Sequence, residues 1–117
     1  MNLHQYAAGA VTDELLNVAS GYPAVCVGAG PSLVRNIDLL SDPKVRSSVV
    51  IISAQTTLKP LLDRGIRPDY VTALDYSMIS QRFYEGLEAL PEVTLVAEPL
   101  AHPTILDAFP GLSLIHI

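Results

Sequence analysis

One cysteine, no tryptophan and only seven Lys+Arg in 117 residues set the first limits on this chain. Cys26 alone cannot close an internal disulfide or build a cysteine-based zinc site. The basic residues are scattered and outnumbered by twelve Asp+Glu, for a formal charge of -5. Nucleic-acid surfaces need clustered cations to displace counterions from phosphates, so no nucleic-acid partner is expected. No apolar run approaches the ~20 residues that span a bilayer, and no charged n-region leads into an apolar h-region. No membrane partner is expected either, and a reducing, cytoplasmic location is the default. Charged residues make up only 16% while half the chain is apolar, which excludes disorder. The length fits one domain that buries roughly two-thirds of its unfolded surface.

From Pro23 onward, apolar runs alternate with segments of helical period. Ala24–Val27 ends in Gly28-Ala29-Gly30-Pro31, and Ser32–Leu40 follows with Leu33, Ile37 and Leu40 at i, i+4, i+7. Asp42-Pro43 breaks the chain before an apolar strand over Ser48–Ala54. Leu58–Arg64 predicts a helix with Pro60 in its first turn and Gly65 as C-cap. Tyr70–Leu74, Val93–Ala97 and Leu112–Ile117 predict three more strands, with helices over Met78–Leu90 and Pro103–Phe109. Five strand–helix units predict an α/β fold: a mostly parallel sheet of about five strands with helices on both faces. Residues 1–22 read as an N-terminal helical lead-in, with a short helix over Val11–Val18 capped by Thr12 or Asp13. Residues 23–117 read as the domain proper. Leu114-Ile115-His116-Ile117 ends in or just after a strand with no covering helix, which predicts a domain truncated at its C-terminus.

In open α/β sheets ligands bind outside the carboxyl ends of the strands. Those ends carry Gly28, Gly30 and Ser32, then Ser53, Gln55, Thr56 and Thr57, then Asp75, Tyr76 and Ser77, then Glu98 and His102. In Gly28-Ala29-Gly30-Pro31-Ser32, residues without Cβ let amides approach an anion. Pro31 presets the helical φ, and Ser32 can cap the helix or donate to a phosphate oxygen. A helix N-terminus there would add roughly half a positive charge. The alternative is a plain glycine turn. Leu33 stands where the dinucleotide fingerprint needs a third glycine, and no Walker lysine follows. This favours a phosphate-bearing ligand other than NAD.

Asp75 ends an uncharged strand, so its carboxylate can bind a metal, a ribose or a reacting hydroxyl; the alternative is an N-cap for the segment after Ser77. Glu98 repeats the placement one unit later. Two carboxylates at neighbouring tips could share Mg²⁺, which takes one or two carboxylates plus substrate phosphates; otherwise Glu98 is a solvated loop residue. Gln55 and Thr56 could contact a base or sugar, with Thr56 read first as a helix cap. His102 could act as acid or base, though a surface loop role is the simpler reading. His4 and His116 carry no role, Cys26 reads as a buried small hydrophobe, and Arg35, Arg64, Arg67 and Arg82 as solvated. Neutral Gln55, where an acidic residue would contact a ribose, weighs against a class I methyltransferase.

Taken together, Val27-Gly28-Ala29-Gly30-Pro31-Ser32-Leu33, Val50–Ala54, Leu58-Lys59-Pro60-Leu61-Leu62-Asp63-Arg64-Gly65-Ile66-Arg67-Pro68-Asp69-Tyr70-Val71 and Ala73-Leu74-Asp75 resemble one family. It is the 6-hydroxymethylpterin diphosphokinase MptE-like family, which includes the central domain of the motility accessory factor (Maf) flagellin glycosyltransferases. The resemblance covers roughly residues 22–112 and implies a Rossmann-like three-layer fold with a nucleotide-linked donor. Maf-type members imply transfer of a nonulosonic acid from a CMP-sugar to Ser/Thr of a protein acceptor such as flagellin. The pterin enzymes imply Mg²⁺-dependent transfer of diphosphate from ATP to a pterin alcohol. The resemblance carries over Gly28, Ala29, Gly30, Pro31 and Ser32 as the donor-phosphate turn and Asp75 as the strand-three aspartate, expected to be catalytic as a base on the acceptor hydroxyl or to bind metal or ribose. Gln55 and Thr56, read from the residues alone, are expected to add donor contacts, and the diphosphokinase reading makes Asp75 and Glu98 the metal ligands. Tyr76 stands where members often have proline after the aspartate. A third reading is a non-catalytic nucleotide-binding or scaffold domain.

Overall fold

The computed structural model describes residues 10–115. Six strands form one all-parallel sheet: β1 (Ala10–Val11), β2 (Ala24–Val27), β3 (Val50–Ala54), β4 (Tyr70–Ala73), β5 (Thr94–Ala97) and β6 (Leu112–Ile115), in the order β1-β6-β5-β4-β3-β2. The five expected strands are β2–β6; His116 and Ile117 lie outside the described residues. Four α-helices accompany them: α1 (Leu33–Asn36), α2 (Pro43–Ser48), α3 (Leu58–Leu62) and α4 (Pro103–Ala108).

Strands β2 to β6 are laid down in sequence, each beside the last. Parallel crossovers are right-handed, so such an order sends every connection over the same face. The burial pattern agrees. Val27, Ile51, Ser53, Val71, Ala73, Leu95 and Ala97 are buried on that face, beneath helix residues such as Ile37, Leu40, Leu58, Leu61 and Ile105. Each fully buried aliphatic side chain there contributes about 1.5–3 kcal/mol. The opposite face carries Val50, Ile52, Tyr70, Thr72, Thr94 and Val96, all only half-buried. Only the β1–β2 connection moves in the reverse direction, so it must cross this second face. Leu15, Val18, Ala19 and Tyr22 indeed line a cavity against Val50, Ile52, Tyr70, Thr72 and Val96. Among the described residues the third layer is thus a thin strap, while α1, α3 and α4 pack on the other side.

Several local expectations change. The helix expected over Val11–Val18 is replaced by β1 and a 3-10 helix at Thr12–Leu15, and the chain then turns through positive φ at Asn17 and Gly21. Asp42-Pro43 starts a helix instead of simply breaking one. The Asp42 carboxylate accepts from Lys44 N at 2.8 Å as N-cap of α2, and Pro43 occupies the first turn, where no N–H is needed. Ser32–Leu40 is one α-turn that tightens into a 3-10 helix over Ile37–Ser41. The 13-residue helix expected after Ser77 is a 3-10 helix over Met78–Phe83. Gly86, at φ 73°, takes the chain out of helical geometry. Tyr84 turns into the core, 1% exposed, edge-on to Phe109 with centroids 5.9 Å apart. Gly65 caps α3 as expected, at φ 70° with Gly65 N and Ile66 N bonded to Leu62 O and Leu61 O.

Candidate functional site

The strands all point one way, so their carboxyl ends form one rim. At the tip of β2 the chain turns through Gly28–Ser32 into α1. Leu33 N bonds to Gly30 O at 3.0 Å and Arg35 N to Ser32 O at 3.0 Å, which fixes the bend. Among the described residues no acceptor takes the amides of Ala29, Gly30 or Ser32. Ser32 makes no side-chain capping bond, so its hydroxyl is also uncommitted. A Cβ at Gly28 would meet nothing within 4 Å, and one at Gly30 only Ser32 Oγ at 3.7 Å. Packing therefore does not demand these glycines, and the bend is open. Because α1 is a single turn, the expected helix-end charge is small, and any anion here rests on the amides and the Ser32 hydroxyl.

Beside the bend lies the 3-10 helix Gln55–Thr57. Thr57, 1% exposed, ties it down, donating to Ala54 O at 2.9 Å and reaching Val27 O at 3.1 Å, one residue before Gly28. Thr56, read as a cap, makes no such bond in this turn. It is exposed and shares a cleft of about 230 Å³ with Ala29, Gly30, Leu33 and Pro60.

Asp75 follows β4 two residues on, at the same rim but two strands from the bend, about 10 Å at ~4.8 Å per strand. Its Oδ1 accepts from Ser77 N at 2.8 Å and its Oδ2 from the Ser80 hydroxyl. Ser77, and not Asp75, caps the following 3-10 helix through Ile79 N. The Ser80 hydroxyl, and after it the Ser77 amide, hold the Asp75 carboxyl below the usual carboxylate range. Gln55 joins this group: its Nε2 donates to Ser80 Oγ at 3.3 Å and its Oε1 accepts from the Tyr84 hydroxyl at 3.1 Å. Ser80 and Tyr84 escaped sequence reading because a regular helix over 78–90 would have placed them as ordinary helical positions. The available signal was a serine five residues after a strand-tip aspartate.

Glu98 sits at the adjacent tip of β5, where Ala73 pairs with Ala97 and Glu98 N bonds to Ala73 O at 3.1 Å. Asp75 and Glu98 are thus neighbours, whereas Glu98 and the glycine bend are three strands apart. Among the described residues no three His, Cys, Asp or Glu side chains gather into a metal cluster. A cation here would need substrate phosphate oxygens, which suits the chemistry of Mg²⁺. His102 N reaches Asp75 O at 3.2 Å, but its ring caps α4, accepting from Thr104 N and contacting Thr104 Oγ1 at 2.8 Å. Leu74, Tyr76, Met78, Ile79 and Leu100 surround this part of the rim and are exposed.

Other residues belong elsewhere. Asp69, in the Pro68-Asp69 element, lies at the opposite, amino end of the sheet. It accepts from Ile51 N at 2.8 Å and pairs with Arg46 at 3.1 Å, which is a structural role. Arg67 pairs with Glu92 at the same end, and Arg64 with Asp38 at 3.2 Å, so neither is merely solvated. Arg82 lies over the Phe83 ring. Cys26 is exposed and not buried as expected: on β2 it alternates with the buried Val27 and pairs with Ile52, so it lies on the second, less covered face of the sheet.

The model of the 6-hydroxymethylpterin diphosphokinase MptE-like family matches residues 1–117. The chain belongs to this family. Among solved structures it is similar to the MAf glycosyltransferase from Magnetospirillum magneticum AMB-1, with 24% identity and a TM-score of 0.64. The match covers 84% of this chain and 16% of that one, and at this identity the likeness is one of fold. A comparison with curated proteins finds no match. No helix among the described residues is long and apolar enough to cross a membrane.

Proposed function

We propose that this domain is the donor-binding part of a transferase and takes a nucleotide-linked donor through its phosphate, as glycosyltransferase-like members of its family do. The observation that carries the reading is the open bend at the tip of β2, with the amides of Ala29, Gly30 and Ser32 unpaired and a free Ser32 hydroxyl beside them. All five residues of the bend are exposed, so a ligand can reach these donors, and three amides and a hydroxyl on one short turn suit an anion. The donor's sugar and base then extend past Gln55 and Thr56 toward Asp75. The donor is a CMP-linked nonulosonate and the acceptor a Ser/Thr hydroxyl of a protein such as flagellin, in the cytoplasm. The acceptor oxygen forms a bond to the anomeric carbon as the bond from that carbon to the phosphate oxygen breaks; CMP leaves with the electron pair, and its phosphate oxygen takes up the acceptor proton.

A carboxylate held ionised by two donors is a weak base. This supports Asp75 as a ligand of metal or ribose over Asp75 as the group that removes the acceptor proton. Catalysis rests on positioning and on stabilising charge at the leaving phosphate.

The second reading is Mg²⁺-dependent diphosphate transfer from ATP to a pterin alcohol. It is supported by the family's description and by the placement of Asp75 and Glu98 after adjacent strands, from which their carboxylates would hold Mg²⁺ against ATP phosphates. Thermal shift with CMP, CDP, UDP and ATP, each with and without Mg²⁺, separates the two, because a ligand that binds only the folded state raises Tm. Stabilisation by CMP or CDP supports the sugar-transfer reading, and stabilisation by ATP only with Mg²⁺ the diphosphokinase. No shift with any nucleotide overturns both and leaves a scaffold domain.

A further inference from the structure

Binding of a donor at the bend does not explain the polar chain that runs inward from Asp75. An ionised carboxylate can only accept, so the Ser80 hydroxyl donates to Asp75 Oδ2. Ser80 Oγ is then the acceptor for the Gln55 amide, which puts Nε2 on the Ser80 side and turns Oε1 toward Tyr84. The Tyr84 hydroxyl completes the series by donating to Oε1. Every hydrogen in the chain therefore has one direction, from the core to the rim. Ser80 and Tyr84 are 2% and 1% exposed, so water offers neither hydroxyl an easy alternative. Burial also raises the Tyr84 phenol above its usual range, so it stays a donor. The three residues come from the β3 tip and from the segment after β4, so the chain also fastens two rim loops together.

We propose that Tyr84, Gln55 and Ser80 are positioning residues that lock the Asp75 carboxylate, filling Oδ2 from behind and leaving Oδ1 as its ligand atom for a divalent cation. The cation part rests on the donor-site reading above; the orienting part does not. Oδ1 already takes the Ser77 amide, so the carboxylate is held at both oxygens and cannot rotate to bind a cation through both at once. Asp75 would accordingly act as a one-oxygen ligand beside Glu98.

The test uses the full chain and Tyr84→Phe, which deletes one hydroxyl while keeping the ring against Phe109. Ser80→Ala and Asp75→Asn serve as references. In the wild type the Ser80 hydroxyl proton is expected to exchange slowly enough to be seen by NMR. In Tyr84→Phe that signal shifts, because Gln55 loses its Oε1 partner and no longer fixes the Ser80 oxygen while Asp75 remains the acceptor; backbone amide shifts away from the rim stay in place. Mn²⁺ titrated with CDP present and followed by electron paramagnetic resonance should bind about fivefold to tenfold more weakly to Tyr84→Phe and Ser80→Ala. A Ser80 proton absent from the wild type, or unchanged in Tyr84→Phe, overturns the proposal. So does unaltered Mn²⁺ affinity in both variants. If the wild type binds no Mn²⁺ while the hydroxyl signal behaves as expected, the donor-site reading fails and the orienting chain stands.

Discussion

Gly28→Ala separates a glycine kept for a ligand from one kept for the fold. If the bend needs glycine for packing, the variant must be destabilised. The structure says otherwise: Gly28 is not among the positive-φ glycines, and a Cβ there meets nothing within 4 Å. Replacing such a glycine narrows the unfolded ensemble and stabilises by about 0.4–1 kcal/mol, or roughly 2–5 °C in Tm for a domain of this size. Ligand binding moves the other way. A donor at 100-fold excess over Kd stabilises the wild type by about 2.7 kcal/mol. The Gly28→Ala variant keeps every amide, but its added methyl occupies open space at the bend and holds the phosphate off the neighbouring amides. Weakening one such bond costs about 1.5–3 kcal/mol, so Kd rises at least ~10-fold and the same concentration then stabilises by about 1.4 kcal/mol or less. Thermal melts of both proteins with and without CDP read the two effects together. A lower Tm in the unliganded variant, or an undiminished nucleotide shift, would refute the reasoning.

Gly111→Ala should behave oppositely, since its Cβ would lie 2.6 Å from Leu90 O and 2.9 Å from Val93 O. A loss of several kcal/mol in chemical denaturation is expected. Asp69→Ala strips the Ile51 amide of its partner and removes the ion pair of Arg46, which keeps its bonds to Arg67 O and Val49 O, so about 1–3 kcal/mol of stability should go while nucleotide affinity, measured by calorimetry, stays put. For Asp75 the folded carboxyl lies below its unfolded value. Its contribution is present above about pH 4 and is lost as pH falls further; the stability gap between wild type and Asp75→Asn should close on acidification, as urea melts from pH 6 to 3 would show. Tyr84 is shifted upward by burial, so its contribution is present below about pH 10 and declines above it. Tyr84→Phe should therefore lose less stability than the wild type between pH 10 and 12.

The strands were legible because Val50-Ile51-Ile52 and Val71 or Leu95 with their neighbours are apolar runs of strand length between glycine and proline breaks. Their order was not, since periodicity carries no information on which edge receives the next strand. Apolar residues on both sides of β3 suggested helices on both faces, yet only Ile51 and Ser53 are deeply covered and Val50 and Ile52 are not. Helix lengths failed where single dihedrals decide, at Asn17 and Gly86. At the rim, Gly28–Ser32, Asp75 and Glu98 could be found from their positions after strands. The Ser80–Gln55–Tyr84 chain could not, because it depends on a tight 3-10 turn bringing Ser80 back toward Asp75. Asp69 shows the reverse error that motif reading invites, a conspicuous acid in a family-like element that serves the opposite end of the sheet.

The one-sided winding also implies a lopsided tolerance to change. Along each central strand, positions such as Ile51, Val71 and Leu95 sit under helices, while among the described residues Ile52, Thr72 and Val96 face the strap. A saturation scan should therefore read as alternating columns, intolerant and permissive by turns. The permissive columns are where soluble variants, spectroscopic labels or stabilising surface charges can be introduced without disturbing the rim.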